Sequence, residues 1–407
     1  MTGWRSRSKR RSARSSGSRA MTSAKSTAST TRRLFIRRSA ARVEFSLNAP
    51  GHRRFRLEAM GDAIHARSIM SLRVAYKIPF LARALRQRDK ARRTVEILTR
   101  KNVELALRLQ LAEALARDEA CALPDDQAPA LTRWRDIREP VWTSNRRVCV
   151  YVCFVRHDRV APHAAHAMAA LRQDGFYVIC LAVRNDVDAP MIDPGPEVAD
   201  ALCARANAGW DFGAWAAMFR RYPQVWDASG LLLMNDSVIG PLRAMDDIWH
   251  GIARSPASVF GLVESLDVQR HMQSFWMFYK AEALRNATLR AFWRTVRNLA
   301  DKDDVIAAYE VNTIQLCEIA GLAHEAVFPF EADDRRPANP SFWGWRRLAA
   351  RGYPFIKTRL LTETPDDIDL SDWVAVLRAA GLDGERARTL LAASHSPKET
   401  ACGRARW

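Results

Sequence analysis

The chain has 407 residues, of which 48% are hydrophobic and 27% charged, so it is long and apolar enough to form one or two folded domains. Its formal net charge of +18 at first suggests a nucleic-acid-binding protein. However, residues 1–60 contain 16 Lys/Arg and 2 Asp/Glu, whereas residues 141–407 contain 31 and 32, so the predicted core is nearly neutral. This distribution argues against nucleic acid as the main partner.

Cysteine usage and hydropathy bear on the cellular compartment. The seven cysteines include no C-x-x-C pair and no histidine cluster at a zinc-binding spacing, which is typical of reduced thiols. The longest apolar run, residues 148–155, is too short to span a bilayer, and no apolar segment follows the basic N-terminus to make a secretory signal. We therefore expect a cytoplasmic protein, with peripheral association at the inner membrane as an option.

Residues 1–60 are rich in Arg, Ser, Thr and Ala and predict a disordered basic tail, because they offer too little apolar surface to offset the entropy of ordering. Such a tail could contact an anionic membrane surface or RNA. It could equally be an ordinary solvated tail, or Met21 or Met60 could be the true start of the chain.

Residues 61–121 predict a helical region. Residues 91–117 contain no Gly or Pro. Within them, apolar side chains recur near helical spacing at Val95, Leu98, Val103, Leu105, Leu109, Ala112 and Leu115. The region mixes basic and apolar residues, so it could lie on a membrane surface, form a coiled coil or brace the core. A structural role, as a coiled coil or a brace, is favoured over the membrane surface. Residues 122–140 predict a linker from their Pro and Asp content.

Residues 141–362 alternate short apolar strands with helices. The segments "RRVCVYVCFVR", "FYVICLAV", "GLLLMNDS" and "SVFGLVES" predict buried strands, "QSFWMFYKAEAL" predicts a strand turning into a helix, and "DVIAAYEVNTIQLCEIAG" predicts one amphipathic helix. This alternation predicts an α/β fold with a mostly parallel sheet flanked by helices. Residues 363–407 predict a C-terminal helix and a disordered tail.

The strand "GLLLMNDS" ends in Asn235, Asp236 and Ser237. Ligands of open α/β sheets bind outside the carboxyl ends of the strands, so this triplet is a candidate site. Its oxygen atoms suit Mg²⁺ or Mn²⁺, with Asp236 as the metal ligand, or a ribose or sugar hydroxyl. The alternative is a polar helix cap.

The loop "NAGWDFGAW" is a second candidate, because aromatic rings can stack on a base and Asp211 can accept a hydrogen bond from a base or ribose. The alternative is that its aromatic residues fill the core and Asp211 caps a helix. The nucleotide-binding candidates of this loop are Asn207, Trp210, Asp211, Phe212, Gly213 and Trp215.

Common phosphate-binding and hydrolase motifs are absent. The sequence has no G-x-x-x-x-G-K-[ST], no G-x-G-x-x-G after a strand and no G-x-S-x-G. A polar strand end and an aromatic loop without a phosphate loop are typical of a nucleotide-sugar enzyme, in which a metal offsets the charge of the leaving diphosphate.

Five blocks occur in order: "NAGWDFGAW", "LLLMNDSVIGPL", "HMQSFWMFYKAEAL", "AAYEVNTIQL" and "NPSFWGWRRLAARGYPFIKTRLL". Together they resemble the rhamnan synthesis protein F family, which is glycosyltransferase-like and acts in bacterial polysaccharide assembly. The resemblance covers roughly residues 146–361.

This resemblance implies a nucleotide-diphospho-sugar transferase (GT-A-like) fold. It also implies dTDP-rhamnose or a similar donor, and a glycan, lipid-linked glycan or lipopolysaccharide acceptor. Related transferases carry Asp-x-Asp after the corresponding strand. Here Asp236 is the only carboxylate of the triplet, so a firmly held metal is not expected.

Transfer with inversion needs a general base for the acceptor hydroxyl. The candidates are Glu264, Asp267, His271 and Glu310. Gln273 and Ser274 could bind sugar hydroxyls, and Lys357 could neutralise a diphosphate. For each of these residues a structural role is the alternative, and for Lys357 it is a solvated side chain.

Two other classes of function are compatible with the sequence. A non-catalytic glycan-assembly scaffold at the membrane would explain the missing second carboxylate. An RNA-binding protein would rest on residues 1–60 alone, and its RNA affinity would fall steeply with salt.

Overall fold

The computed structural model describes residues 79–116, 133–143, 145–331, 339–363 and 368–394. The predicted tails, residues 1–60 and 395–407, and most of the predicted linker lie outside the described residues. The described part is a mixed α/β fold with a largely parallel central sheet flanked by helices, which confirms the predicted fold class at that level.

The strands lie in two sheets within the described residues. The larger sheet has the order β1-β4-β3-β2-β5-β9-β7-β10, with β8 paired to β7, and the smaller one is a ribbon of β6 and β11. The strands are β1 (Trp134–Arg138), β2 (Arg147–Phe154), β3 (Tyr177–Arg184), β4 (Ala201–Ala206), β5 (Gly230–Asn235), β6 (Val238–Ile239), β7 (Val259–Ser265), β8 (His271–Met272), β9 (Trp276–Lys280), β10 (His324–Phe328) and β11 (Ile356–Lys357).

Helices connect and cover the strands. The described helices are α1 (Pro79–Ala116), α2 (Pro162–Gln173), α3 (Trp210–Arg221), α4 (Asp246–Arg254), α5 (Ala281–Leu284), α6 (Ala287–Thr295), α7 (Lys302–Ala308), α8 (Thr313–Ala320), α9 (Trp345–Ala350), α10 (Thr358–Glu363), α11 (Trp373–Ala379) and α12 (Gly384–Ser394).

The order of the parallel strands reverses at β2. Strand β2 pairs in parallel with β3 on one side and with β5 on the other, and β3 pairs in parallel with β4. The chain therefore steps outward from β2 through β3 to β4 and then returns to the far side of β2. In open α/β sheets the crevice at such a reversal, outside the carboxyl ends of the strands, is where ligands bind.

Both faces of the sheet are buried, which explains the nearly continuous apolar sequences of the strands. In β2, Val150 and Val152 face one core cluster, while Tyr151 and Cys153 face the other. Helix α3 covers the first face and helix α2 covers the second. Each fully buried Val or Leu contributes roughly 1.5–3 kcal/mol relative to an exposed side chain.

Six of the described strands were not predicted from the sequence: β1, β4, β6, β8, β10 and β11. Strand β1 lies inside the predicted linker 122–140, which is therefore wrong over residues 134–138. It is a charged edge strand that pairs antiparallel with β4, and charged residues are common at sheet edges. Strand β4 has the sequence "ALCARA", and alanine has a low intrinsic preference for strands, so its burial between β1 and β3 was not visible.

The helix predicted over residues 304–321 is in fact two helices. Helix α7 ends at Ala308, Glu310–Asn312 form a 3₁₀ turn, and α8 begins afterwards. Tyr309 leaves the helical region at φ −124° and ψ −57° and accepts a hydrogen bond from the Arg297 backbone N–H at 2.9 Å. Glu310 therefore lies at a break between helices and not, as predicted, in the middle of one.

The C-terminal region forms a third apolar cluster around the β6–β11 ribbon and helices α9 to α12. It contains two helices after residue 368, where the sequence predicted one. Gly240 links β6 to this cluster at φ +145°, and a Cβ atom there would lie 2.5 Å from the Pro354 carbonyl oxygen. This close approach is why the turn needs glycine.

Helix α1 has two apolar sides. Leu107 and Leu111 are buried in the core near α6 and α8, as a bracing role requires. Five other apolar side chains of the helix are 54–62% exposed: Val95, Ile97, Leu98, Leu105 and Leu109. The coiled-coil and membrane-surface roles of this side remain predictions. Among the described residues, no helix combines the length and apolarity needed to cross a bilayer.

Candidate functional site

The carboxyl ends of β2 and β5 are joined by Asp236. Phe154, the last residue of β2, donates its backbone N–H to Asp236 Oδ2 at 2.9 Å. The triplet of Asn235, Asp236 and Ser237 is followed by β6, and the next helix begins only at Asp246, so the triplet does not cap a helix. The predicted candidate site therefore lies at the reversal of strand order.

Asn235 connects the triplet to the loop that precedes α3. Its side-chain Nδ2 donates to Asp211 Oδ2 at 2.7 Å. Its Oδ1 accepts from the Ser237 hydroxyl at 2.7 Å and from the Ser237 backbone N–H at 3.1 Å. The Asn235 amide is thus fully oriented, and it fixes Asp211 beside the end of β5.

Lys357 reaches the triplet from far along the chain because β11 pairs with β6. In this ribbon Lys357 is opposite Val238, the residue after the triplet. Lys357 Nζ donates to Ser237 Oγ at 3.3 Å and lies 4.1 Å from the centroid of the Phe275 ring. The half-buried ammonium is held by a hydroxyl and by a cation–π contact.

Glu310 and Lys302 complete the charged groups of the site. Glu310 Oε1 accepts a hydrogen bond from the Ser274 backbone N–H at 3.2 Å. Burial raises the pKa of Asp211, the Glu310 carboxylate raises it further, and Lys302 lowers it, so both charges act on that carboxyl. We call Asp211, Asn235, Asp236, Ser237, Lys302, Glu310 and Lys357 the polar cluster.

Burial shifts the pKa values of Asp211, Asp236 and Lys357 toward their neutral forms. Burial raises the pKa of Asp236 to about 6, with a smaller upward contribution from Asp211 and opposing contributions from the Phe154 N–H and Lys302. Burial lowers the pKa of Lys357 to about 8, against the stabilising charges of Glu310 and Asp211. Perturbed pKa values in a crevice are typical of functional sites.

The carboxylates of the polar cluster do not form a metal-binding cage. Each has an oxygen engaged by the protein: Asp236 with Phe154 N–H, Asp211 with Asn235 Nδ2, and Glu310 with Ser274 N–H. Within the described ranges, no group of three or more His, Cys, Asp or Glu side chains could hold a metal ion. Binding of Mg²⁺ or Mn²⁺ at Asp236 therefore stays a prediction.

The structure corrects two of the predicted base-stacking residues. Phe212 and Trp215 are buried in the core, where Phe212 stacks on Trp293 at 5.6 Å between ring centroids. Neither ring faces the crevice, so the alternative of aromatic core packing is right for both. Asp211 lies in the first turn of α3, but Gly209 occupies the N-cap position.

The other residues of this loop have different roles. Gly213 packs against Asn298, since a Cβ atom at this position would lie 2.5 Å from Asn298 Oδ1, so contact with the protein itself accounts for glycine here. Trp210 is half-buried at φ +55° and lies 5.3 Å below the Lys302 ammonium. Trp210 is therefore the predicted aromatic residue that stays next to the polar cluster.

Gln273 and Ser274 serve the scaffold. Gln273 Nε2 donates to Asn339 Oδ1 at 2.7 Å, and its Oε1 accepts from the Ser341 hydroxyl at 2.6 Å. Both ends of this buried side chain are engaged, which contradicts the predicted contact with a sugar hydroxyl. Ser274 is buried too, and its backbone N–H orients Glu310.

Two of the four candidate bases, Glu264 and His271, are engaged by protein groups outside the polar cluster. Glu264 is buried, forms an ion pair with Arg270 and accepts from the Phe330 backbone N–H at 3.0 Å. His271 is buried in β8, with Nδ1 2.8 Å from the Gln269 carbonyl oxygen. Of the predicted bases, only Glu310 interacts with Asp211 and Lys357.

A cavity of about 470 Å³ lies at the carboxyl ends of β2 and β3, the same end of the sheet as the polar cluster, although no residue of the cluster lines it. Its lining includes Arg156, His157 and Asn185. Asn207, predicted to bind nucleotide, lies at this place and donates its side-chain amide to Asn185 Oδ1 at 3.0 Å. The cavity thus adds polar donors and acceptors next to the crevice.

Sequence reasoning missed two side chains that support the site. Lys302 precedes two aspartates at the start of α7 and resembled a solvated helix end. His163 lies in α2, and its Nε2 is 3.0 Å from the Asp236 carbonyl oxygen. No local pattern marks either residue, because both reach the site from distant parts of the chain.

Comparison with known proteins gives two similar relatives. The Virulence protein VirA of Vibrio anguillarum is 22% identical over 256 residues, which is 54% of this chain and 81% of that protein. The Uncharacterized protein y4gN of Sinorhizobium fredii (strain NBRC 101917 / NGR234) is 22% identical over 137 residues, which is 32% of this chain and 36% of that protein.

A family model covers most of the described α/β fold. The matched segment begins in β3 and ends in α11, and it contains all seven residues of the polar cluster. The family is described as Rhamnan synthesis protein F, a name that refers to the synthesis of a polysaccharide. The resemblance predicted from the sequence is confirmed: residues 179–376 match the rhamnan synthesis protein F family.

Proposed function

We propose that the protein is a glycosyltransferase of bacterial surface-polysaccharide synthesis. It would move a sugar, with rhamnose as the first candidate, from a nucleotide-diphospho-sugar to a glycan or lipid-linked glycan. The observation that carries the proposal is the polar cluster at the reversal of strand order, inside the segment that matches the rhamnan synthesis protein F family. The sheet is also compatible with a GT-A-like fold.

The geometry supports separate binding places for the nucleoside and the diphosphate of the donor. The nucleoside would occupy the cavity beside β2 and β3, which contains polar groups from Asn185, Arg156 and His157. The diphosphate would then extend toward the end of β5, where Lys357 lies next to Ser237. The sugar would be presented to the acceptor on the side of Glu310.

Glu310 is the base that this arrangement favours. One of its oxygens is held by the Ser274 N–H, which orients the carboxylate. In the proposed step the acceptor oxygen attacks the anomeric carbon, and the bond from that carbon to the phosphate oxygen breaks. The nucleoside diphosphate leaves with the bonding electron pair, and the acceptor proton passes to Glu310.

The test uses the purified full-length chain with dTDP-rhamnose, UDP-glucose, UDP-galactose and GDP-mannose, and measures release of nucleoside diphosphate. We expect release from at least one donor. Glu310→Gln should lower kcat by about 10²- to 10⁴-fold and leave the donor Kd within about threefold. Glu318→Gln, an exposed carboxylate on α8, is the matched control.

Two results would contradict the proposal. If none of the four donors binds, the crevice is not a nucleotide-sugar site. If a donor binds but Glu310→Gln and the unaltered chain show the same negligible turnover with every acceptor tried, the non-catalytic glycan-assembly scaffold is the better description.

A further inference from the structure

The polar cluster contains two ammonium groups where a metal-dependent transferase would hold a divalent cation. Lys357 is fixed there by the ribbon, because the Thr358 backbone N–H also donates to the Ser237 carbonyl oxygen at 3.0 Å. Lys302 lies over the Trp210 ring and acts on both Asp211 and Asp236. Two ammonium groups are therefore built into the polar cluster by the chain itself, beside the carboxylates of Asp211, Asp236 and Glu310.

The carboxylates of the cluster are arranged differently from metal ligands. The Asn235 side chain donates an N–H to Asp211 and directs its one oxygen at Ser237, so this side chain offers no free oxygen to a cation. Phe154 N–H occupies Asp236 Oδ2. A divalent cation prefers to be surrounded by several oxygen ligands. N–H groups directed at the carboxylates compete with a cation for the same oxygen atoms.

The Lys357 ammonium is placed so that it can bind an anion. An ammonium carries three N–H groups, and among the described residues its recorded hydrogen bond is the one to Ser237 Oγ. The Phe275 ring covers one side at 4.1 Å without accepting a strong hydrogen bond. Donor capacity therefore remains for phosphate oxygens, which lysine binds as a compact point charge.

We propose that this crevice binds the diphosphate of its nucleotide-sugar through the ammonium groups of Lys357 and Lys302 in place of a divalent cation. The inference rests on the proposed function, since it concerns how the same donor is held. During transfer these two charges stabilise the diphosphate as it departs, which is the task that a metal performs elsewhere.

The experiment measures UDP and dTDP binding to the full-length chain by calorimetry, with either EDTA or MnCl₂ present. We expect the Kd of the better nucleotide to agree within about twofold between the two conditions. Lys357→Met should weaken binding by about 10- to 100-fold, the usual effect of losing a charge-assisted hydrogen bond. Lys357→Arg should recover at least part of that loss, because it restores the charge.

Lys280→Met is a matched control. Lys280 is also half-buried, donates to the Ser255 carbonyl oxygen at 2.6 Å and lies 5.3 Å from the Phe260 ring centroid. It pairs with Gly230 at the opposite edge of the sheet, so its loss should leave nucleotide affinity unchanged. Thermal unfolding of each variant verifies that a weakened affinity does not reflect a misfolded chain.

The outcomes separate this inference from the proposed function. Binding that requires MnCl₂ and survives Lys357→Met would overturn the lysine inference and leave a metal-dependent transferase. Binding in EDTA that falls with Lys357→Met and not with Lys280→Met supports it. Failure of both nucleotides to bind in either condition, with dTDP-rhamnose and the other three donors also failing, would remove the proposed function and the inference with it.

Discussion

Asn235 donates its side-chain amide to Asp211 Oδ2 at 2.7 Å, and this bond joins the end of β5 to the first turn of α3. The two residues are 24 positions apart and belong to two separate sequence motifs. The bond turns two candidate ligand-binding stretches into one site. Asp211 is therefore held by an uncharged side-chain amide, which donates a hydrogen bond to it.

Asn235→Asp should destabilise the protein at neutral pH. The new carboxylate cannot donate to Asp211, so two acceptors would face each other at hydrogen-bond distance. We expect the free energy of unfolding to fall by about 1–3 kcal/mol at pH 7.5, measured by urea titration. The loss should shrink near pH 5, because protonation of one carboxyl restores a donor.

Asn145→Asp, at an exposed turn, is the control and should change the stability little. A loss of the same size at pH 5 and at pH 7.5 would contradict the assigned role of the Asn235 amide. It would indicate a packing defect, which does not depend on protonation.

Asp236→Asn should stabilise the protein at neutral pH while impairing its activity. The pKa of Asp236 is raised to about 6 by burial, so the folded state binds this proton more tightly than the unfolded state. Ionising the buried Asp236 carboxyl therefore destabilises the folded state. This destabilisation is absent below about pH 4, grows as the pH rises through the folded pKa and is complete above it. Asparagine removes this destabilisation and can still accept from the Phe154 N–H.

The expected gain is on the order of 1–3 kcal/mol at pH 7.5, with no gain near pH 4. Thermal unfolding at several pH values checks it, and Asp227→Asn at an exposed site is the control. An Asp236→Asn variant that is less stable than the unaltered chain at pH 7.5 would show that the charged carboxylate is favourable where it lies.

The central strands and the triplet could be predicted from the sequence because their signals are local. Continuous apolar runs mark β2, β3, β5 and β7, since both faces of the sheet are covered. Asn235, Asp236 and Ser237 follow such a run directly, and the rule for ligand sites in α/β sheets then places them at a functional edge. The position of Asp236 needed only this local pattern.

The rest of the site depends on contacts that join distant segments. Lys357 reaches Ser237 only through the pairing of β11 with β6, and two-residue strands leave no periodic pattern. The aromatic loop was ambiguous for a related reason: Phe212 and Trp210 have similar chemistry, and only packing decides that one is buried and the other stays near Lys302. Sequence spacing does not determine such choices.

Glu264→Gln should affect stability and leave nucleotide binding unchanged. The buried Glu264 carboxylate is paired with Arg270 and holds the Phe330 backbone N–H, so it anchors the segment after β10. Loss of the charge should lower the free energy of unfolding by about 1–3 kcal/mol, because a buried charge-assisted network is weakened. The Kd for UDP or dTDP should stay within about twofold.

Arg270→Gln and the double variant complete the comparison for this pair. If the pair acts as a unit, the double variant should lose less stability than the sum of the single variants. A large fall in kcat with unchanged stability in Glu264→Gln would instead return Glu264 to the list of candidate bases.

The affinity for nucleoside diphosphate should fall as the pH rises through about 8. Burial lowers the pKa of Lys357 to about 8, so its ammonium begins to deprotonate in a range where an ordinary lysine is still charged. Only the charged form can neutralise the diphosphate. We therefore expect log Kd to be flat below pH 7 and to rise above pH 8. The rise should stop above the pKa that Lys357 has in the complex, which is higher because the bound anion stabilises the ammonium.

Calorimetric titration with UDP or dTDP between pH 6.5 and 9.5 checks this profile, and Lys357→Arg is the informative variant. Arginine stays protonated over the whole range, so the rise in Kd above pH 8 should disappear even if the absolute affinity is lower. Lys280→Met should keep the profile of the unaltered chain. A profile that is identical in Lys357→Arg would assign the titration to another group and contradict the lowered pKa of Lys357.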